Sequence, residues 1–164
     1  MVKGILRVLH ARIVDRRPPN FVIGGQQDPY MRRWWVIPRN RFINIYLHQV
    51  LRPDDDRALH DHPWINLSII LDGGYWEITP GPNDRHQHRW CPPGTITFRR
   101  AAAAHRLDLA EDIQGQRIPC WTLFITGPRI REWGFLCPKG WKHWRDFTNP
   151  KDGGATVGRG CGEP

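Results

Sequence analysis

The chain has 164 residues, 40% of them apolar and 11% aromatic, enough to enclose one hydrophobic core and too many for a disordered or fibrous protein. A net charge of +8 favours an anionic partner, yet the arginines are scattered rather than gathered in a run, which argues for a solvated surface over a nucleic-acid groove. No apolar stretch approaches the roughly 20 residues of a membrane helix, and no secretory pattern is visible, so a cytoplasmic location is the expectation.

In chain order, Val2, Leu6, Leu9 and Ile13 recur at helical spacing with Lys3, Arg7 and Arg12 between them. That pattern predicts a short amphipathic helix that packs on the remainder of the protein. The segment is basic and free of acids up to Asp15, like an organellar presequence, but it lacks serine. The prolines of "RRPPN" end it. From there the period changes. "RRWWVIP", "RFINIYLHQVL", "WINLSIIL", "YWEIT", "GTITFRR" and "CWTLFIT" are short and rich in β-branched and aromatic residues. Turn-forming stretches such as "RPDDD", "DGG", "TPGPNDR" and "PPG" separate them, so an all-β sandwich or barrel is predicted rather than alternating βαβ units. The final "NPKDGGATVGRGCGEP" is glycine-rich with little to bury and reads as a flexible tail. Three segments result: a helix and lead-in over 1–33, a barrel with a C-terminal extension over 34–148, and the tail over 149–164.

Several chemistries are excluded by what is missing. There is no dinucleotide GxGxxG, no P-loop and no GxSxG elbow, and the single serine, Ser68, lies inside an apolar strand. Cys91, Cys120, Cys137 and Cys161 are widely spaced and form no CxxC pair, which argues against a zinc ribbon and offers no disulfide framework.

The residues that carry chemistry are histidines. His60 and His62 stand two apart in "ALHDHPWINLSIILDGG". In a strand such a pair projects to one face, roughly 6.6 Å apart along the chain, and can converge on one ion. The same parity continues through Asn66, Ser68 and Ile70, so the face passes from polar to apolar, as an open-ended cavity requires. His105, after the predicted strand Thr95 to Arg99 and four alanines, is the candidate third ligand.

These spacings resemble those of the cupins, the small double-stranded jelly-roll β-barrels. The first cupin motif runs glycine, five residues, HxH, three or four residues, glutamate, six residues, glycine; here His60, His62, Asn66 and Gly73 fall in register, with Asn66 in the glutamate slot and Asp54 in that of the leading glycine. In the second motif Gly94 and His105 fit, whereas Arg100, Ala102 and Leu109 replace its proline, glycine and asparagine. The resemblance spans about residues 54 to 109, and flanking strands extend a plausible barrel from 34 to 127.

The resemblance implies a double-stranded β-helix holding one divalent metal on His60, His62 and His105, with Asn66 at a metal-bound water or behind the ligands. Three neutral imidazoles without the glutamate suit iron(II) first, with zinc, manganese or nickel as other occupants, and leave positions open for substrate or dioxygen. The implied function is an iron(II) dioxygenase or related oxidoreductase acting on a small polar or anionic substrate, with pairing of two barrels into a homodimer. A non-catalytic cupin that binds a small ligand or a partner protein is the alternative, and a basic nucleic-acid-binding barrel a weaker one. Trp64, Arg99 and Arg106 are the candidate substrate-binding residues, the arginines through their bidentate donors. A second HxH, His86 and His88 with Cys91, reads as an exposed hairpin loop rather than a metal site, and His48 as structural.

Overall fold

The computed structural model describes residues 2–54, 58–152 and 155–162. The predicted amphipathic helix is present as α1 (Val2–Arg12). Its Val2, Leu6 and Leu9, with Ile13 just beyond, pack on Trp34, Leu47, Leu71 and Leu123. Leu47 and Leu71 are fully buried beneath it, each contributing about 1.5–3 kcal/mol, while the helix's own side chains are only partly buried.

Among the described residues twelve strands follow: β1 (Phe21–Ile23), β2 (Met31–Trp35), β3 (Asn44–Val50), β4 (Leu59–His60), β5 (Asn66–Asp72), β6 (Tyr75–Pro80), β7 (His86–Cys91), β8 (Ile96–Arg99), β9 (Arg106–Leu109), β10 (Cys120–Thr126), β11 (Gly134–Cys137) and β12 (Gly140–His143). A one-turn helix, α2 (Trp144–Phe147), closes the series. The strands form a six-stranded sheet ordered β1-β2-β3-β10-β5-β8 and two three-stranded sheets, β7-β6-β9 and β12-β11-β4. A bridge between His60 and His105 links the two smaller sheets, and every pairing among the described residues is antiparallel. The protein is all-β with one N-terminal helix longer than a turn.

Register sorts the large sheet into two faces. Trp34, Leu47, Leu123 and Ile69 are cross-strand neighbours on the outer face, beneath α1. Arg33, His48, Thr122 and Ile70 form the adjacent row on the inner face. There Met31, Val50, Ile70 and Cys120 meet Tyr75, Cys91, Leu107 and Leu109 of the smaller sheets in one buried cluster. Gly73, in the closing-glycine slot, turns β5 into β6 with a φ of 71°, and a Cβ there would strike the Pro119 carbonyl oxygen.

Four expectations need correction. The boundary at 33/34 falls inside β2, because the lead-in supplies two strands of the large sheet. "HQHRWC" is strand β7, paired with β6 along its length, rather than a loop. Cys137 and Cys161 form a disulfide, their Cα atoms 5.4 Å apart, although their spacing in the sequence showed no framework.

The glycine-rich tail is not free over its described part either. Thr148 bridges Val157, Gly24 donates its backbone N–H to the Ala155 carbonyl at 2.6 Å, and Gly158 and Gly160 donate to that of Phe147. Composition misled because main-chain hydrogen bonds and the disulfide hold the segment, not apolar side chains. Gly153, Gly154, Glu163 and Pro164 of the predicted tail lie outside the described residues, as do Asp55 and Asp56 of the predicted "RPDDD" turn. No helix among the described residues is long and apolar enough to cross a membrane.

Candidate metal centre

His60 ends β4, and its backbone exchanges two 2.9 Å hydrogen bonds with that of His105, which fixes the two rings side by side. His62 lies just past the strand, where its N–H donates to the Ala101 carbonyl at 2.9 Å. Asp61 between them points the other way. It accepts from the Gly134 N–H (2.7 Å), the Arg131 Nη1 (2.6 Å) and the Trp141 Nε1 (3.1 Å) and thereby clamps the loop that carries both histidines. The three rings sit with centroids 5.0–5.2 Å apart, and one ligand nitrogen from each lies within 4.8 Å of the others. His62 Nε2 and His105 Nε2 are 2.9 Å apart. Two nitrogens bound at a right angle, each about 2.0–2.1 Å from one ion, stand about 2.9 Å from each other, so the pair fits a shared metal. The predicted triad is therefore assembled.

Two carboxylates stand behind these rings. His105 Nδ1 is 3.4 Å from Glu77 Oε1, and His60 Nδ1 is 3.8 Å from Asp54 Oδ2. Both are ion-pair distances rather than hydrogen bonds, and His105 Nδ1 has no hydrogen-bond partner among the described residues; the negative charge there still favours the tautomer with its proton on Nδ1 and Nε2 free to bind a metal. Burial carries His105 down to about 4 despite the Glu77 carboxylate beside it. His62 is also held well below the ordinary histidine value, by burial first and then by His105, His60 and two arginines. Both rings are neutral near pH 7, the form a metal ligand requires.

Glu77 was not anticipated. It lies on β6 with its side chain 5% exposed and accepts from Arg99 Nε at 2.6 Å and from Arg89 Nη2 at 2.6 Å, with Arg99 Nη2 also in contact. Burial alone would raise its carboxyl pKa, but His105, Arg99 and Arg89 outweigh that and hold it far below the ordinary value of 4.5. An acid at the centre of the otherwise apolar "YWEIT" was the available signal.

The triad faces a cavity of about 320 Å³, mostly apolar, walled by Trp64, Phe124, Trp133, Phe135, Trp144 and Phe147. Ala155, Thr156 and Val157 of the C-terminal segment also line it. Among the candidate substrate residues, Trp64 and Arg99 reach the cavity and Arg106 does not, since alternation along β9 turns it away from His105 and Leu107. Arg99 does so already bound to Glu77. Asn66 is fully buried at the start of β5, paired with Thr126 and Arg99. Among the described residues its side-chain amide has no hydrogen-bond partner, and it does not line the cavity. His86 and His88 are exposed on β7, and Cys91 is buried on its other face. Among the described residues only the His60, His62 and His105 group has the spacing of a metal site. That group can hold one divalent transition metal ion.

No family model matches the chain, and no curated protein matches it in sequence. Solved structures do resemble it. The DMSP lyase DddQ from Ruegeria pomeroyi DSS-3 superposes with a TM-score of 0.55 at 14% identity, over 84% of this chain and 68% of that one. A protein assigned as a mannose-6-phosphate isomerase, from Ralstonia eutropha JMP134, gives 0.50 at 16% identity, over 66% of this chain and 93% of that one. FeII HppE gives 0.50 at 18% identity over 68% of this chain, which spans only 57% of that protein. At these identities the likeness concerns the fold, which is cupin-like.

Proposed function

We propose that this chain is a metal-dependent cupin enzyme: a jelly-roll barrel that holds one ion, iron(II), on His60, His62 and His105, and acts as an oxygenase on a small anionic substrate. One observation carries the reading: three imidazoles converge at the wall of an apolar cavity, two of them backed by carboxylates. The likeness of fold to FeII HppE supports it. When bound, such an ion supplies open coordination positions and a Lewis-acidic or redox centre. The chain's own residues do the rest. The Glu77 charge favours the His105 tautomer with its proton on Nδ1, Asp61 fixes the loop between the ligands, and the ring of Trp64, Phe135 and Trp133 excludes water from the bound substrate.

The test is elemental analysis of protein purified without added metal, repeated on His60→Ala and His105→Ala, followed by oxygen uptake with small organic acids. One equivalent of transition metal in the wild type, lost in both variants, is expected. If the wild type carries none and reconstitution with iron, manganese, nickel and zinc fails, the proposal is overturned. Stoichiometric metal without turnover would leave a ligand-binding cupin.

A further inference from the structure

Arg33 is a cation in the cavity that no acid among the described residues neutralises. It lies on β2 beside His48 of β3, and both line the cavity from the large sheet, whereas His60 and His105 belong to the smaller sheets. Its Nε donates to His48 Nε2 at 2.8 Å, its guanidinium lies 5.0 Å from the centroid of the Tyr46 ring, and a sulfur contact to Met31 at 4.0 Å completes its partners. Among the described residues no carboxylate is within ion-pair reach of Arg33, and none acts electrostatically on it. The contrast with Arg99 is sharp, since Glu77 already takes that charge.

His48 orients the guanidinium. It is 4% exposed, and because it accepts from Arg33 Nε its ring is neutral, with the proton on Nδ1. The bond on Nε and the tyrosine face beneath hold the guanidinium plane, and both Nη groups remain without an oxygen partner. A fixed fork of donors in a low-dielectric wall is a preorganised receptor for an oxyanion. The site is in reach of the metal centre: Phe124 stacks on His48 at 5.1 Å between centroids and also meets His62 at 5.9 Å, and Arg33 acts electrostatically on His62. One ring thus touches both the residue that orients Arg33 and a metal ligand.

We infer that Arg33, oriented by His48, binds the carboxylate of a small monocarboxylic acid whose other end reaches the histidine triad. The inference rests on the metal-enzyme reading and names the substrate class for that same cavity. A carboxylate fits better than a phosphoryl group because Arg33 offers one uncompensated charge, which one carboxylate balances and a phosphate dianion exceeds.

The probe is propionate, against propionamide and inorganic phosphate, titrated calorimetrically into metal-free protein, where the acid cannot coordinate an ion. Wild type is expected to bind propionate at least about tenfold more tightly than propionamide or phosphate, and Arg33→Gln to lose about tenfold to a hundredfold. Arg33→Lys should keep part of the affinity, and Arg32→Gln, on the opposite face of β2, all of it. Equal propionate binding by wild type and Arg33→Gln, equal binding of acid and amide, tighter binding of phosphate, or no binding of propionate would each overturn the inference. Should Arg33→Gln not fold, the acid-to-amide comparison on wild type still decides. Metal loading is measured in parallel. If the wild type fails to load metal, the enzyme reading falls while the carboxylate comparison stands by itself.

Discussion

Replacing Glu77 by glutamine removes the charge that lies between Arg99 and His105 while keeping the side-chain volume. Arg99 is 5% exposed, so the variant leaves a buried guanidinium without its counter-charge. Breaking such a pair from one side costs about 3–5 kcal/mol. The Arg89 contact adds little, because that side chain is 53% exposed and its pair is worth about 1 kcal/mol at most. For a chain of this size the loss lowers the melting temperature by on the order of 10 °C. Independently, His105 loses the carboxylate at Nδ1, and affinity for a divalent metal should fall about 10-fold to 100-fold. The two effects separate in the double variant Glu77→Gln, Arg99→Met. There the stranded cation is gone, so most of the stability should return while metal affinity stays low. Thermal melts of metal-free protein and competition against a chromogenic chelator measure the two quantities. Metal affinity of Glu77→Gln within twofold of wild type would refute the role given to Glu77. So would a double variant that recovers affinity together with stability.

Further outcomes concern the same frame. His48, His62 and His105 all have pKa values lowered in the fold, so below about pH 6.5 the unfolded chain takes up protons that the folded one does not. Their stabilisation is complete above that pH and is lost as pH falls, by up to about 1.4 kcal/mol per pH unit for each histidine. The loss from Glu77 begins only below about 4.5, so urea melts of metal-free protein between pH 6.5 and 5 isolate the histidines, and a flat profile there would contradict their burial. Asp61→Ala strands three donors, and a loss of about 3 kcal/mol with weakened metal binding is expected, Asp61→Asn losing less. Unchanged metal affinity in Asp61→Ala would remove it as the clamp of the ligand loop. Cys161→Ser opens a loop of 24 residues and should cost about 3 kcal/mol, with faster amide exchange over 155–162. Exchange as slow as in wild type would mean that main-chain bonds alone hold the segment over the cavity.

Much of the large sheet was legible because its strands alternate: β3, β5 and β10 coincide with predicted apolar runs to within a few residues. Short strands such as β4, β11 and β12 carry too few residues for a period to show, and the pairing of β4 with β11 is non-local. Strand β7 was hidden because its residues are exposed up to Cys91, so its composition is that of a loop.

The histidine triad could be read because two ligands share one short stretch and the third follows at a family spacing, although the expected single strand from His60 to Ile70 is broken, with His62 in the loop between β4 and β5. Alternation likewise sorted Asn66, Ser68 and Ile70 onto the inner face. What chain order could not determine is which side chains from different sheets share the cavity. Glu77 meets Arg99 and His105 from three separate strands or their ends, and Arg33 meets His48 across a strand pair whose register no local pattern specifies. Charges make the difference plain: Arg33 and Arg99 look alike in the sequence, yet Arg99 is neutralised by Glu77 and Arg33 by no acid among the described residues. A side chain's face follows from its own strand's geometry, but its counter-charge is set by whatever the fold brings within a few ångströms.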